Sequence, residues 1–158
     1  MVGMTATERF MELALDQARR AAELGEVPVG AIVVRDGQVL AAAHNRRELD
    51  QDPTAHAEIL ALREASRKVG SWRLERCELY VTLEPCAMCT GALLLARIER
   101  CLYGATDPKG GYLGTVGDLS DVPELNHTLE VVPGVRGDES AQLLKGFFRS
   151  LRSRKPTP

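Results

Sequence analysis

The sequence predicts a single α/β domain over residues 1–158, with helices packed on a five-stranded sheet. Helix-like and strand-like segments follow the order α-β-β-α-β-α-β-β-α, and helices that connect strands require some parallel pairing. A chain of 158 residues is long enough to bury one ordinary core. Hydrophobic residues make up 44% of the chain and charged residues 27%, which is typical of a globular protein and excludes a disordered one.

Local signals predict the first helix and a hairpin. Thr5-Ala6-Thr7-Glu8 has the spacing of a capping box, and Gly25 is suited to end the helix that it opens. The face of this helix that packs on the sheet is expected to carry Phe10, Leu13, Ala14, Gln17 and Ala18. Residues 29–34 are predicted to form a buried strand, and the turn Asp36-Gly37 leads into a second strand at 39–43.

The remaining elements follow from caps and apolar runs. Asp52 followed by Pro53 is typical of an N-cap and a first helical position, so a helix is predicted over residues 53–69. Pro85 is predicted to open another helix, which runs to about Arg97. The last elements are predicted as strands at 79–83, 102–105 and 128–132 and a terminal helix from Asp138.

Composition also bears on location and partners. No apolar run reaches the roughly 18 residues that a membrane helix needs, and residues 1–5 lack the features of a signal peptide. We therefore expect a cytoplasmic protein. The formal net charge of −2 does not by itself indicate a nucleic-acid-binding protein.

Basic residues are nevertheless concentrated near the end of the chain, at Lys145, Arg149, Arg152, Arg154 and Lys155. Cations at the C-terminal end of a helix stabilise its dipole, so a solvated helix end explains them. Contact with nucleic-acid phosphates explains them equally well, and both interpretations stay open. Phe147 and Phe148 are expected to pack this helix onto the sheet.

Cysteines in a cytosolic domain of this size indicate metal or redox chemistry before disulfides. Cys86 and Cys89 are three residues apart in the predicted first turn of a helix, so both thiols point the same way at its positive end. That position favours the thiolates that zinc requires, and a thiol redox pair is the main alternative. The other candidate ligands, expected to be buried or structural instead, are Cys77, Cys101, His44 and His127.

His56 lies in the predicted first turn of the preceding helix, and two helix starts can meet at one edge of an α/β sheet. With Cys86 and Cys89 it would supply three ligands and leave a fourth position for water, which is the pattern of a catalytic zinc site. Glu58 lies about 200° from His56 around an ideal helix, so helical geometry does not bring their side chains together.

The sequence pattern that contains His56, Glu58 and the two cysteines is more specific than the helical geometry of these residues. His56-Ala57-Glu58 followed by Pro85-Cys86-Ala87-Met88-Cys89 matches the His-x-Glu and Pro-Cys-x-x-Cys signature of zinc nucleobase deaminases. The signature assigns Glu58 as the general acid and base that moves a proton from water to the ring nitrogen and the departing ammonia. A solvated carboxylate that stabilises the helix dipole is the simpler alternative for Glu58.

Beyond this signature, the chain resembles the bacterial tRNA-specific adenosine deaminases of the cytidine-deaminase-like superfamily over nearly its whole length. The segments that carry the resemblance are Glu26–Ala31, His44-Asn45, Asp52–Glu58, Leu79–Cys89, Tyr103–Asp107, Leu125–His127 and Phe147–Arg149. The loop at residues 107–117, which holds four glycines, departs from the family's small-residue pattern at Tyr112 and Leu113. It is either a ligand-binding loop or a plain flexible connection.

The resemblance implies a three-layer α/β/α cytidine-deaminase-like fold, with a mixed sheet and helices on both faces. It also implies one zinc ion per protomer of a homodimer and hydrolytic conversion of adenosine to inosine at the wobble position of a tRNA anticodon stem-loop. By the match, Asn45 would contact the flipped nucleoside and Asp107 would lie near its sugar. The pocket would be lined by Pro28, Val29 and Leu83.

Three other functions stay open on the residues. A deaminase of free bases or nucleosides, of the guanine or cytosine type, would share the same metal site. A non-catalytic, zinc-stabilised RNA-binding module would need a fourth protein ligand. A thiol redox protein would leave His56 and Glu58 without a role.

Overall fold

A computed structural model of the chain describes residues 3–154. Its elements follow the predicted order: α1 (Ala6–Glu23), β1 (Gly30–Arg35), β2 (Gln38–His44), α2 (Ala57–Val69), β3 (Cys77–Leu83), α3 (Ala87–Ala96), β4 (Arg100–Ala105), β5 (Glu130–Val132) and α4 (Gly137–Ser153). Lys155 lies outside the described residues. Within residues 3–154, no helix is both long and apolar enough to cross a membrane.

The five strands form one mixed sheet in the order β2-β1-β3-β4-β5. β1 pairs antiparallel with β2 and β3, whereas β3 pairs parallel with β4, and β4 with β5. Because β3 and β4 are parallel and Leu83 is paired with Ala105, the chain leaves both strands at the same edge. The segments that follow these strands, residues 84–86 and 106–107, therefore lie side by side.

The sheet is covered on both faces, which confirms the predicted three-layer architecture. Successive residues of a strand point to opposite faces, so neighbouring side chains enter different cores. Ile32, Tyr80 and Leu102 pack with Met11 and Leu15 of α1 in one core. The other core, on the side of α2 and α3, includes Val33, Leu62, Leu79, Leu93 and Cys101.

The predicted packing face of α1 is partly wrong. Leu13 is exposed, and the buried residues of the helix are Met11, Ala14, Leu15, Ala18 and Ala21. The small residues face the sheet because the helix backbone comes very close to Gly30, where a side-chain carbon would overlap the backbone of Ala14 and Ala18. The N-cap at Thr5 is confirmed, since the Glu8 amide donates to the Thr5 hydroxyl at 3.1 Å. The Glu8 carboxylate accepts from the Thr5 hydroxyl at 3.0 Å and not from the Thr5 amide, so only the N-cap half of the capping box forms.

The predicted starts of α2 and α3 are also wrong, each by a few residues. α2 begins at Ala57 rather than at Pro53, and His56 is its N-cap with an extended backbone. Asp52 instead accepts hydrogen bonds from the amide and hydroxyl of Thr54, both at 2.8 Å, and so closes a local turn. α3 begins at Ala87, and Cys86 is its N-cap.

The C-terminal elements differ from the prediction in smaller ways. β5 has three residues, at 130–132, and α4 begins at Gly137 after Arg136, whose backbone is left-handed. Phe147 is half-buried, but Phe148 is 40% exposed, so Phe148 does not pack α4 onto the sheet as expected. The two rings instead contact each other edge to face, with 5.5 Å between centroids.

Candidate metal centre and active site

The structure brings His56, Cys86 and Cys89 together at the edge where β3 ends. The His56 Nδ1 atom lies 3.7 Å from the Cys86 sulfur and 3.5 Å from the Cys89 sulfur. Tetrahedral zinc with ordinary Zn–S and Zn–N bonds places such ligand atoms about 3.5 Å apart. The three side chains therefore have the spacing of a zinc site, and within residues 3–154 no fourth His, Cys, Asp or Glu joins the cluster.

The local fold explains this convergence. His56 and Cys86 are the N-caps of α2 and α3, and Cys89 is one turn into α3. Neither N-cap side chain forms a capping hydrogen bond, so both are free to face the other helix start. The helix N-termini also supply positive potential, which favours thiolates.

The pKa values of the two thiols diverge when they share one proton. Hydrogen bonding from Cys89, together with that from His56, lowers the pKa of Cys86 to about 4. The same contact with Cys86, together with burial, raises the pKa of the Cys89 thiol. Cys86 is thus a thiolate at neutral pH, which is the form that binds zinc.

Glu58 lies in the first turn of α2 and is only 4% exposed. Burial raises the pKa of its carboxyl to about 7. The 200° separation from His56 does not apply, because His56 precedes the helix and has an extended backbone. A carboxyl with a pKa near neutral beside the cluster can both accept and donate a proton.

A cavity of about 170 Å³ opens onto the cluster and Glu58. Of the residues expected to contact a substrate, Asn45, Asp107, Val29 and Leu83 line it. Pro28 does not line the cavity; its neighbours on both sides do, because the extended chain alternates the direction of its side chains. The other lining residues, which the sequence did not suggest, include Val27, Arg47 and Glu84.

Asn45 and Asp107 face the cavity from two different loops. The Asn45 side chain donates to the Val27 carbonyl at 3.2 Å and accepts from the Arg47 amide at 3.1 Å, which holds it in place. The Asp107 carboxylate accepts from the Lys109 amide at 3.0 Å. Both side chains are therefore fixed by hydrogen bonds to backbone groups before any ligand binds.

Two buried glutamates near the cavity were missed by the sequence analysis. Glu26 accepts from the amides of Glu48 and Leu49, at 3.1 and 2.7 Å. Glu84 accepts from the loop that contains Asp107. A signal for Glu84 exists in the sequence, since an acidic residue directly after a buried strand and before Pro85 is unusual unless it is hydrogen-bonded.

The remaining candidate ligands lie elsewhere, as predicted. Cys77 and Cys101 are buried in the core. His44 is hydrogen-bonded to the Asn45 carbonyl at 2.9 Å, and His127 to the Ile98 carbonyl at 2.6 Å. These contacts agree with structural roles.

The bulky residues of the 107–117 loop turn inward. Leu113 is 5% exposed and packs in the core, and the Tyr112 ring covers Gly117, where a side-chain carbon would overlap it. The Tyr112 amide donates to the Pro85 carbonyl at 2.9 Å. The loop is thus fixed to the segment that leads into the cluster of His56, Cys86 and Cys89, and it is not a plain flexible connection.

The chain is similar to known deaminases over nearly its whole length. Residues 5–152 match the family model of the MafB19-like deaminases. The chain is 49% identical over 152 residues to the tRNA-specific adenosine deaminase of Bacillus subtilis strain 168, which covers 96% of this chain and 94% of that protein. A structure from studies of A-to-I editing by tRNA:A34 deaminases at the wobble position of transfer RNA superposes with a TM-score of 0.83.

That structure is 48% identical to this chain and the match covers 86% of this chain and 99% of that one. A guanine deaminase from Nitrosomonas europaea also superposes, with a TM-score of 0.76 and 27% identity over 92% of this chain and 86% of that one. The identity to the tRNA-specific adenosine deaminases is much higher than the identity to this guanine deaminase, so the chain is grouped with the tRNA enzymes. The chain belongs to the tRNA-specific adenosine deaminase family of the cytidine-deaminase-like fold.

Proposed function

We propose that this protein is a zinc-dependent hydrolase that converts adenosine to inosine at the wobble position of a tRNA anticodon. The observation that carries the proposal is the cluster of His56, Cys86 and Cys89, of which His56 and Cys86 line one cavity together with the buried Glu58. The 49% identity to a tRNA-specific adenosine deaminase supports the choice of substrate. The whole chain, residues 1–158, would form this single deaminase domain.

His56, Cys86 and Cys89 would hold one zinc ion per protomer. When bound, zinc acts as a Lewis acid that lowers the pKa of water to about 7. Glu58 would accept a proton as the water oxygen bonds to C6 of adenine, and donate it to the ring nitrogen. It would then carry the second proton of that oxygen to the exocyclic amine, which leaves as ammonia as the C6–N bond breaks and the C6 carbonyl of inosine forms.

The cavity walls would bind and orient the nucleoside. Asn45 would contact the flipped base, Asp107 its sugar, and Val29 and Leu83 would pack against the ring. Flipping a base out of its stack costs a few kcal/mol and is easiest in a single-stranded loop. Fixed hydrogen-bonding groups such as Asn45 would offset part of that cost because they need no reordering when substrate binds.

An exposed apolar surface supports the homodimer that the family resemblance implies. Trp72 and Leu95 are 58% and 72% exposed beside a groove between α2 and α3, and Ile59 and Ala92 extend it. Contiguous apolar surface of this kind is typical of protein interfaces. We propose that a second copy of the chain covers it; Leu95→Glu should then shift the mass measured by light scattering from dimer to monomer.

The end of α4 supports contact with the tRNA backbone. Lys145, Arg149, Arg152 and Arg154 are exposed, and none of them forms an ion pair with the residues described at 3–154. Ending the chain after Phe148 should raise the KM for tRNA. It should also flatten the salt dependence of binding by about 0.7 per lost contact with single-stranded phosphate. Unchanged KM and salt dependence would mean that these residues are only a solvated helix end.

Incubation with an anticodon stem-loop that carries adenosine at the wobble position tests the main proposal. Nucleoside analysis should find inosine with the wild type and none with Glu58→Gln. The similarity to a guanine deaminase makes free guanine the second substrate to test, with cytosine and free nucleosides as further controls. Ammonia release from free guanine, with no inosine in the stem-loop, would show that the substrate is free guanine and not tRNA. We expect the protein to act in the cytoplasm, where fractionation of source cells should find it.

A further inference from the structure

Glu84 is a buried carboxylate to which the proposed reaction assigns no role. It follows the last residue of β3, precedes Pro85 and Cys86, and is 2% exposed. A buried carboxylate is costly unless hydrogen bonds replace its lost water. Glu84 lies beside the metal cluster but does not belong to it.

Among the described residues 3–154, all hydrogen-bond donors to the Glu84 carboxylate lie in one loop. Its Oε1 atom accepts from the Asp107 amide at 3.0 Å and from the Thr115 hydroxyl at 2.5 Å. Its Oε2 atom accepts from the amides of Leu113 and Thr115, at 3.0 and 3.2 Å. A carboxylate has about four acceptor positions, and these four donors fill them. Glu84 therefore has no position left for a metal ion or for proton transfer to a substrate.

The same loop is shaped around this carboxylate. A side-chain carbon on Gly111 would overlap the Glu84 carboxylate, so only glycine fits there without a shift. Gly110, the neighbouring residue, has room for a methyl group, whose nearest contact would be an Asp107 oxygen at 3.6 Å. Neither glycine has a positive φ, so alanine is compatible with the backbone at both positions.

We propose that Glu84 is a positioning residue: it holds the loop 107–115, and with it the Asp107 side chain, in the conformation that receives the nucleoside. The inference rests on the proposed function, in which Asp107 faces the sugar. Glu84, which orders the substrate loop, is only two positions before the zinc ligand Cys86. The segment 84–86 would therefore contribute both to substrate binding, through Glu84, and to metal binding, through Cys86.

Glu84→Gln tests this with little change in volume. The amide keeps one acceptor oxygen but turns an NH2 group toward two loop donors. The KM for the stem-loop should rise roughly tenfold while kcat changes far less, because loop order affects binding more than proton transfer. Zinc content should stay at one per protomer. Hydrogen exchange of the Leu113 and Thr115 amides should become faster.

Gly111→Ala is an independent variant that leaves the carboxylate in place. It should raise KM in the same way, whereas Gly110→Ala should have little effect. The double variant Glu84→Ala with Gly111→Ala should be less than additive, since removal of the carboxylate makes room for the methyl group. Glu78→Gln is the matched control for loss of a charge; Glu78 lies in β3, at the end away from Glu84, and pairs with Arg100.

Two results would overturn the proposal. One is an unchanged exchange rate of the loop amides in Glu84→Gln. The other is a loss of kcat and zinc in Glu84→Gln with KM unaffected, which would place the residue in the metal centre. Amide exchange needs no turnover, so it tests the role of Glu84 in loop order separately from any role in the metal centre. A wild type that deaminates no stem-loop would contradict the proposed function, and the exchange rates would still decide whether Glu84 orders the loop.

Discussion

Two buried glutamates lie beside the same cavity, one at the start of α2 and one after the end of β3, and their pKa values shift in opposite directions. Burial raises the pKa of Glu58 to about 7. Burial also raises the pKa of Glu84, but hydrogen bonds from Thr115, Asp107 and Leu113 outweigh it and the net pKa is lowered. The number of donors that surround each buried carboxyl, more than its burial, therefore decides whether its pKa is raised or lowered. This difference is consistent with the proposed roles of Glu58 in proton transfer and of Glu84 in loop order.

The largest effect is expected from Cys86→Ala, which removes one of the three proposed zinc ligands. Cys86→Ala should lose zinc and deaminase activity together, since two protein ligands rarely hold zinc. Elemental analysis and the inosine assay measure the two losses. Zinc bound at one per protomer in this variant, or no stoichiometric zinc in the wild type purified without chelators, would contradict the assigned ligand set.

Glu58→Gln should separate proton transfer from metal binding. Its kcat should fall by about 10²–10⁴-fold, which is the usual contribution of a positioned general acid and base. Zinc content should be unchanged, because Glu58 is not one of the three clustered ligands. If this variant lost its zinc and regained activity when zinc was restored, Glu58 would be a structural residue.

Stability against pH should reveal the raised pKa of Glu58 in the zinc-free protein. The pKa rises from 4.5 in the unfolded chain to about 7 in the folded one. The contribution of Glu58 to stability is thus complete below pH 4.5 and is lost as the pH rises through 7. Relative to Glu58→Gln, the wild type should lose on the order of 3 kcal/mol of unfolding free energy across that window.

Chemical denaturation of both proteins in a chelator, at several pH values, measures this difference. Subtracting the variant removes the opposite trend expected from Cys86, whose pKa is lowered to about 4. A difference that stays constant with pH would mean that Glu58 is not held protonated by burial.

The smallest effect concerns one of the four hydrogen bonds at Glu84. Thr115→Val removes the hydroxyl donor but keeps the amide donor and the side-chain shape. Unfolding free energy should fall by about 0.5–1.5 kcal/mol, which is the usual net contribution of one hydrogen bond. The KM for the stem-loop should change less than in Glu84→Gln, and an equal or larger change would show that Thr115 acts by direct contact with substrate.

Local sequence signals predicted which elements form, but not always where they start. The N-cap at Thr5 was confirmed because its hydrogen bond lies within one turn. The prediction that α2 starts at Pro53 was wrong, because Asp52 accepts hydrogen bonds from the Thr54 amide and hydroxyl in a local turn and does not cap a helix. The error matters because the true N-cap is His56, and its extended backbone is what lets it join the cysteines.

The sequence by itself determined the element order and the set of His56, Glu58, Cys86 and Cys89, because spacing along the chain and residue type carry that information. Only the tertiary structure decided that Leu13 is exposed, that Pro28 is outside the cavity, and that Glu84 holds a loop 23 residues further along. These outcomes depend on contacts between distant segments. Their geometry is set by parallel pairing of β3 with β4 and by close approach of a helix to Gly30, which no local pattern encodes.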